Sequence, residues 1–143
     1  MSTVWICTGL FVGLLLLAAI GRLVLLGRYK RLAANRPGET FATFRAEFES
    51  TIPDDVLRAV YKYFQDRCAF AVSEFPVLWS DKLVQTYGID SGEIEDMLNT
   101  ILKACGRGFP PVDQVEKLGP IVRVRHVVYF IASCPLSNPT AAN

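Results

Sequence analysis

From Val4 to Leu26 the chain reads VWICTGLFVGLLLLAAIGRLVLL, apolar at nearly every position except Thr8 and Arg22. A helix of this length covers the roughly 30 Å hydrocarbon core of a bilayer. It has no polar stripe, so it does not read as a surface helix of a soluble bundle. Trp5 and Tyr29 mark its two ends, as an aromatic belt would. The pattern then changes character. Phe41, Phe44 and Phe48 recur at helical spacing and predict a short amphipathic helix packed on a domain. Val56, Leu57, Val60, Tyr61 and Phe64 form one apolar face of a helix over about Pro53 to Cys68, with Thr51 as its N-cap. Ile94, Met97, Leu98, Ile101, Leu102 and Cys105 make a second stripe, ended by Gly106.

Between these helices, residues 72–87 read as a long connection broken at Pro76. Ser80 caps a short helical turn there, and Trp79 and Leu83 anchor it. Val112 to Leu118 predicts a further short helix. The segment IVRVRHVVYFIAS fits two templates. Alternation at Val122, Val124, His126, Val128 and Phe130 suits a strand, while Ile121, Val124, Val127, Val128 and Ile131 suit a helix started by Pro120. The residue pattern alone leaves this choice open. Val56, Val60, Phe64, Met97, Leu98, Ile101 and Val128 are the expected shared core.

Charge adds an orientation. Residues 1–36 hold five basic and no acidic residues, which leaves ten basic against fourteen acidic in residues 37–143, a net of −4. Arg22, Arg28, Lys30, Arg31 and Arg36 end or follow the span, which by the positive-inside rule puts the C-terminal side in the cytoplasm. No basic residue precedes the span, unlike a cleaved signal peptide. The expected localisation is therefore the cell or inner membrane, single-pass. The basic stretch RYKRLAANR serves as a stop-transfer flank and, in a second reading, as a site for anionic headgroups. A mildly acidic domain argues against nucleic acid as a partner.

Candidate chemistry is sparse. Cys7, Cys68, Cys105 and Cys134 are widely spaced, without a CxxC, and a zinc site is not expected with His126 as the sole histidine. His126 lies on a strongly apolar element and reads as a core or rim residue. No catalytic residue is expected, and the chain is read as not an enzyme.

The segment YGIDSGEIEDMLNTILKACG, Tyr87 to Gly106, resembles the acyl carrier proteins around their modified serine. Gly88, Asp90, Ser91, Met97, Leu98, Ile101 and Gly106 match that family's motif in register. Gly92 stands where the family usually has an apolar residue. The resemblance covers roughly Ile52 to Ser133 and tips the closing element toward helix. It implies a 4'-phosphopantetheine arm on Ser91, with Asp90 beside it. It also implies that Glu93, Glu95 and Asp96 dock on a basic partner surface. The residues alone support a plainer reading, in which Asp90 and Glu93 form a capped helix start and need no cofactor.

The expected fold class is mostly α: a single N-terminal transmembrane helix followed by a small acyl-carrier-like bundle. The expected division is an anchor at 1–27, a basic linker with a short amphipathic helix at 28–51, a helical domain at 52–133 and a disordered tail at 134–143. The expected function is a membrane-tethered, non-enzymatic interaction or adaptor module that meets a protein partner through its acidic helix. The alternative is an acyl or peptidyl carrier modified on Ser91.

Overall fold

The computed structural model describes residues 2–111 and 119–137. The described residues form six helices and no strand: α1 (Ser2–Ala34), α2 (Phe41–Ala46), α3 (Asp54–Cys68), α4 (Leu83–Tyr87), α5 (Ile94–Ala104) and α6 (Val124–Ser133). The fold is thus mostly α, one long apolar helix followed by a small bundle. The helix expected at Val112 to Leu118 lies outside the described residues.

The apolar part of α1 is uncovered by the rest of the chain and is long and apolar enough to cross a membrane. The helix does not stop where the apolar run ends. It continues through the basic stretch to Ala34 and breaks at Pro37 and Gly38, whose φ of +80° favours a residue without a Cβ. Its last turns belong to the bundle. Tyr29, read from sequence as a membrane-boundary aromatic, is instead buried, with edge-on ring contacts to Phe70 and Phe75 at 5.5 and 5.7 Å. Leu32 and Ala33 also pack on the core. Within residues 28–51, Tyr29, Leu32, Ala33, Phe44 and Phe48 thus pack on the core of the bundle.

α3 is the hub, packing against α2, α4, α5 and α6. Its inward face places Val56, Leu57, Val60 and Phe64 wholly out of solvent. Met97, Leu98 and Ile101 of α5 and Val128 of α6 close the same core, as the periodicity predicts. Phe44 of α2 and Phe48 just after it join it through ring contacts to each other and from Phe44 to Tyr61. The start of α3 differs from expectation: Pro53, not Thr51, takes the N-cap position. Proline has no N–H to lose there, and the acids in the first turn, Asp54 and Asp55, suit the helix dipole.

α5 ends in a Schellman motif. Gly106, at φ +61°, donates from its N–H to the Lys103 carbonyl, and Arg107 N–H donates to the Leu102 carbonyl. Arg107 then reaches the C-terminus of α6, where Nη1 donates to the carbonyls of Ala132 and Cys134 at 3.3 and 2.7 Å. The tail expected to fray from residue 134 is held at its start. Cys134 is buried, and Ser137 N–H donates to the Gly106 carbonyl.

The ambiguous closing segment is a helix with an extended lead-in. Arg123 pairs with Lys82 in a single antiparallel bridge. The N–H groups of Val124 and Arg125 then donate to the carbonyls of Asp81 and Trp79, satisfying donors at the helix start that have no partner within the helix. The alternation around Val122 and Val124 therefore reflects a short extended lead-in, and the 3.6-residue period reflects the helix that follows.

That same loop carries the one buried charged residue among the described residues, Asp81. Arg36, two residues past the end of α1, grips it with both terminal nitrogens, Nη2 to Oδ1 at 2.6 Å and Nη1 to Oδ2 at 2.9 Å. Oδ2 also accepts from Leu78 N–H at 3.0 Å and from the Tyr87 hydroxyl at 2.7 Å. Arg36 Nη1 donates in addition to the Pro76 carbonyl. A buried ion pair offsets its desolvation only when its remaining hydrogen-bonding groups are satisfied, and here they are. Burial, followed by the Asp81 charge, pushes the Tyr87 hydroxyl well above its ordinary pKa, so it remains a donor.

Arg36→Met should leave Asp81 buried without its counter-charge and destabilise the protein by about 3–5 kcal/mol. Chemical unfolding of the full chain in detergent measures this. A change within error would mean that the pair contributes nothing to holding α1 on the bundle.

Candidate interaction site

The candidate residues lie on the turn that joins α4 to α5. α4 stops because Gly88 adopts φ +67° in the left-handed region and its N–H caps back onto the Val84 carbonyl. Ile89 is then driven fully into the core, which fixes where the next residues emerge. Asp90, Ser91, Gly92 and Glu93 all face solvent.

Asp90 Oδ1 accepts from the N–H groups of Gly92 at 2.9 Å and Glu93 at 3.2 Å. Glu93 Oε2 accepts in return from Asp90 N–H at 3.4 Å. These are the reciprocal bonds of a capping box, but they close a turn over residues 91–93 that precedes the helix proper, so α5 begins at Ile94. Glu93 Oε1 also pairs with Arg67 Nη2 at 3.1 Å, and Arg67 Nε donates to the Tyr87 carbonyl. Arg67 thus ties both ends of the turn to α3. Sequence reasoning missed this residue, because the partners lie 20 and 26 positions apart.

Ser91 sits at the tip of the turn and is exposed. The hydrogen bonds of the turn run through Asp90 and Glu93. A phosphate attached to Ser91 would find the nearby N–H donors of Gly92 and Glu93 already taken by Asp90, with two carboxylates alongside. This arrangement does not fit the usual stabilisation of an anion by a helix N-terminus. Gly92 follows the same logic. A Cβ there would stand 3.3 Å from Asp90 Oδ1, so the apolar residue common in the carrier family would crowd the cap.

Glu95 and Asp96 lie on the exposed face of α5, opposite the buried Met97, Leu98 and Ile101, and neither forms an ion pair among the described residues. They are the uncommitted acids of the group, since Glu93 is held by Arg67. The other groups considered from sequence lie elsewhere. His126, on α6, accepts from Val122 N–H at 3.3 Å through Nδ1. Burial and then the Arg125 charge lower its pKa. Burial pushes the Cys68 thiol up to about 12 and the Cys134 thiol to about 11, which keeps both protonated and weak as nucleophiles. Among the described residues no three of His, Cys, Asp and Glu converge as metal ligands.

No protein-family model matches this chain, and no curated protein or solved structure does.

Because Asp90 closes the turn, Asp90→Ala should cost about 0.5–2 kcal/mol. Ser91→Ala should stay within about 0.5 kcal/mol, as for a surface change away from such features. Thermal unfolding of the two variants side by side checks the order. A larger loss for Ser91→Ala would show that the serine, and not Asp90, holds the turn.

Proposed function

We propose that the chain is a single-pass membrane protein whose helical domain is a non-enzymatic interaction module held directly against the cytoplasmic face of the bilayer. The carrying observation is the continuity of α1. It passes from uncovered apolar surface into the bundle core at Tyr29 and the Arg36–Asp81 pair without a flexible joint. A domain fixed in this way is presented at one height and in one orientation, which lowers the ordering cost of meeting a partner on the same membrane. The acidic face of α5, at Glu95 and Asp96, is the surface for a partner carrying a basic patch.

Orientation follows from Arg22, Arg28, Lys30 and Arg31. Arg36 is neutralised by Asp81, yet the remaining charges still favour the cytoplasm for the bundle. A fluorescent protein fused after Asn143 should fluoresce, and an alkaline phosphatase fused there should be inactive. The opposite pair of results would reverse the topology.

The second reading is a carrier bearing 4'-phosphopantetheine on Ser91, with Asp90 beside it. The exposed hydroxyl favours it, and the occupied N–H groups around it weigh against it. The two readings diverge in one experiment on protein purified from its native membrane. An adaptor should show an intact mass without a covalent arm. A photo-crosslinking residue placed at Asn99 should capture a partner that is lost on charge reversal at Glu95 and Asp96. A mass gain abolished by Ser91→Ala would establish the carrier instead. Crosslinking indifferent to charge reversal would remove the acidic face from the proposal.

A further inference from the structure

On α1, the residues Leu25, Arg28, Tyr29 and Leu32 fall at i, i+3, i+4 and i+7, so they share one face. The lower half of that face is buried in the bundle, through Leu32 and Tyr29. The upper half opens into a cleft of about 430 Å³, bounded on one side by Leu25 and Arg28 and on the other by Arg67, Phe70 and Gly88. Phe70 is 47% exposed although it contacts Tyr29, leaving an aromatic ring uncovered beside the last turn of the apolar span.

The height of this cleft is set by helix geometry. Leu25 is within the apolar run and Arg28 is three residues beyond it, about 4.5 Å along the axis. The interfacial layer of a bilayer adds roughly 5–8 Å on each side of the hydrocarbon core. The cleft therefore straddles the boundary where acyl chains give way to phosphates, with apolar Leu25 and Phe70 at its mouth. The formally charged residues lining it are both arginines. Arg28 is exposed and in no ion pair among the described residues, so its guanidinium is available. Arg67 spends Nε on Tyr87 and Nη2 on Glu93. Its Nη1 makes no bond among the described residues.

We propose that this cleft seats the phosphate of an anionic glycerophospholipid from the surrounding leaflet. Arg28 takes the phosphate in a forked contact, and Nη1 of Arg67, whose charge is balanced by Glu93, offers a further hydrogen-bond donor behind it. The acyl chains run up past Leu25, and the Phe70 ring lies in the interface beside them. The choice of an anionic over a zwitterionic lipid follows from the lining: a cation, Arg28, unpaired among the described residues, and no lining carboxylate to receive a choline or ethanolamine group. The bilayer is the occupant because the cleft is continuous with the uncovered surface of α1. The inference rests on α1 spanning the membrane.

The test reconstitutes the full chain in vesicles of phosphatidylcholine containing a minor fraction of phosphatidylglycerol. Native mass spectrometry after detergent extraction then reads which lipids remain bound. The wild-type protein should retain phosphatidylglycerol in preference to phosphatidylcholine. Arg28→Gln should reduce that retention about tenfold or more, the loss expected when charge-assisted hydrogen bonds to a seated phosphate are removed. Lys30→Gln removes the same charge from the far side of the helix and should leave retention unchanged. Equal losses in the two variants, or no preference in the wild type, would overturn the cleft while leaving the anchor intact. Release of the chain from its native membranes by alkaline carbonate would instead overturn the anchor, and the cleft with it.

Discussion

The Arg36–Asp81 pair is the constraint on which the arrangement of this molecule depends. It joins the segment just after α1 to the connection between α3 and α4, residues 69–82, which would otherwise be irregular. Asp81 organises that loop from both ends. Its carboxylate accepts from Leu78 N–H and the Tyr87 hydroxyl, and its carbonyl accepts from Val124 N–H at the start of α6. One residue therefore sets the positions of α1, α4 and α6 relative to one another. The hydrophobic core around α3 supplies the bulk of the burial, but an apolar core tolerates small slides between helices. A bidentate, buried ion pair is far less tolerant of misalignment.

The helices of the core were legible because their apolar residues repeat within single segments. Val56, Val60 and Phe64 report a buried face without knowledge of anything else in the chain, as do Met97, Leu98 and Ile101. The Arg36–Asp81 pair was not legible. Its partners are 45 positions apart, and Arg36 is one of a run of basic residues that already has a sufficient explanation as a topology signal. Tyr29 was misread for a related reason. An aromatic at the end of an apolar run suits a membrane boundary, and only the fold reveals that Phe70 and Phe75 lie against it.

The turn at Asp90 shows the same division at shorter range. The reciprocal bonds between Asp90 and Glu93 were legible because they join residues three apart. The clamp from Arg67 was not, and it alters the chemistry of the turn by withdrawing Glu93 from the acidic face. IVRVRHVVYFIAS presented a different difficulty. Its two patterns were each correct over part of its length, an extended lead-in followed by a helix, and no single template describes both. What made the helix possible was a set of carbonyls on the 79–82 loop, supplied from some forty residues upstream.

The unbroken passage of α1 into the bundle also gears the domain to the span. Each residue advances an α-helix by about 100° of rotation and 1.5 Å of rise. A single residue added within the apolar run would therefore turn the whole bundle by more than a quarter of a circle about the helix axis, while lowering it by little more than an ångström. With α1 across a membrane, as proposed, the direction in which the face of α5 points would be set by the length and tilt of the span, and by whatever packs against it. Neighbours of that helix within the bilayer would act on the domain as a hand acts on a key.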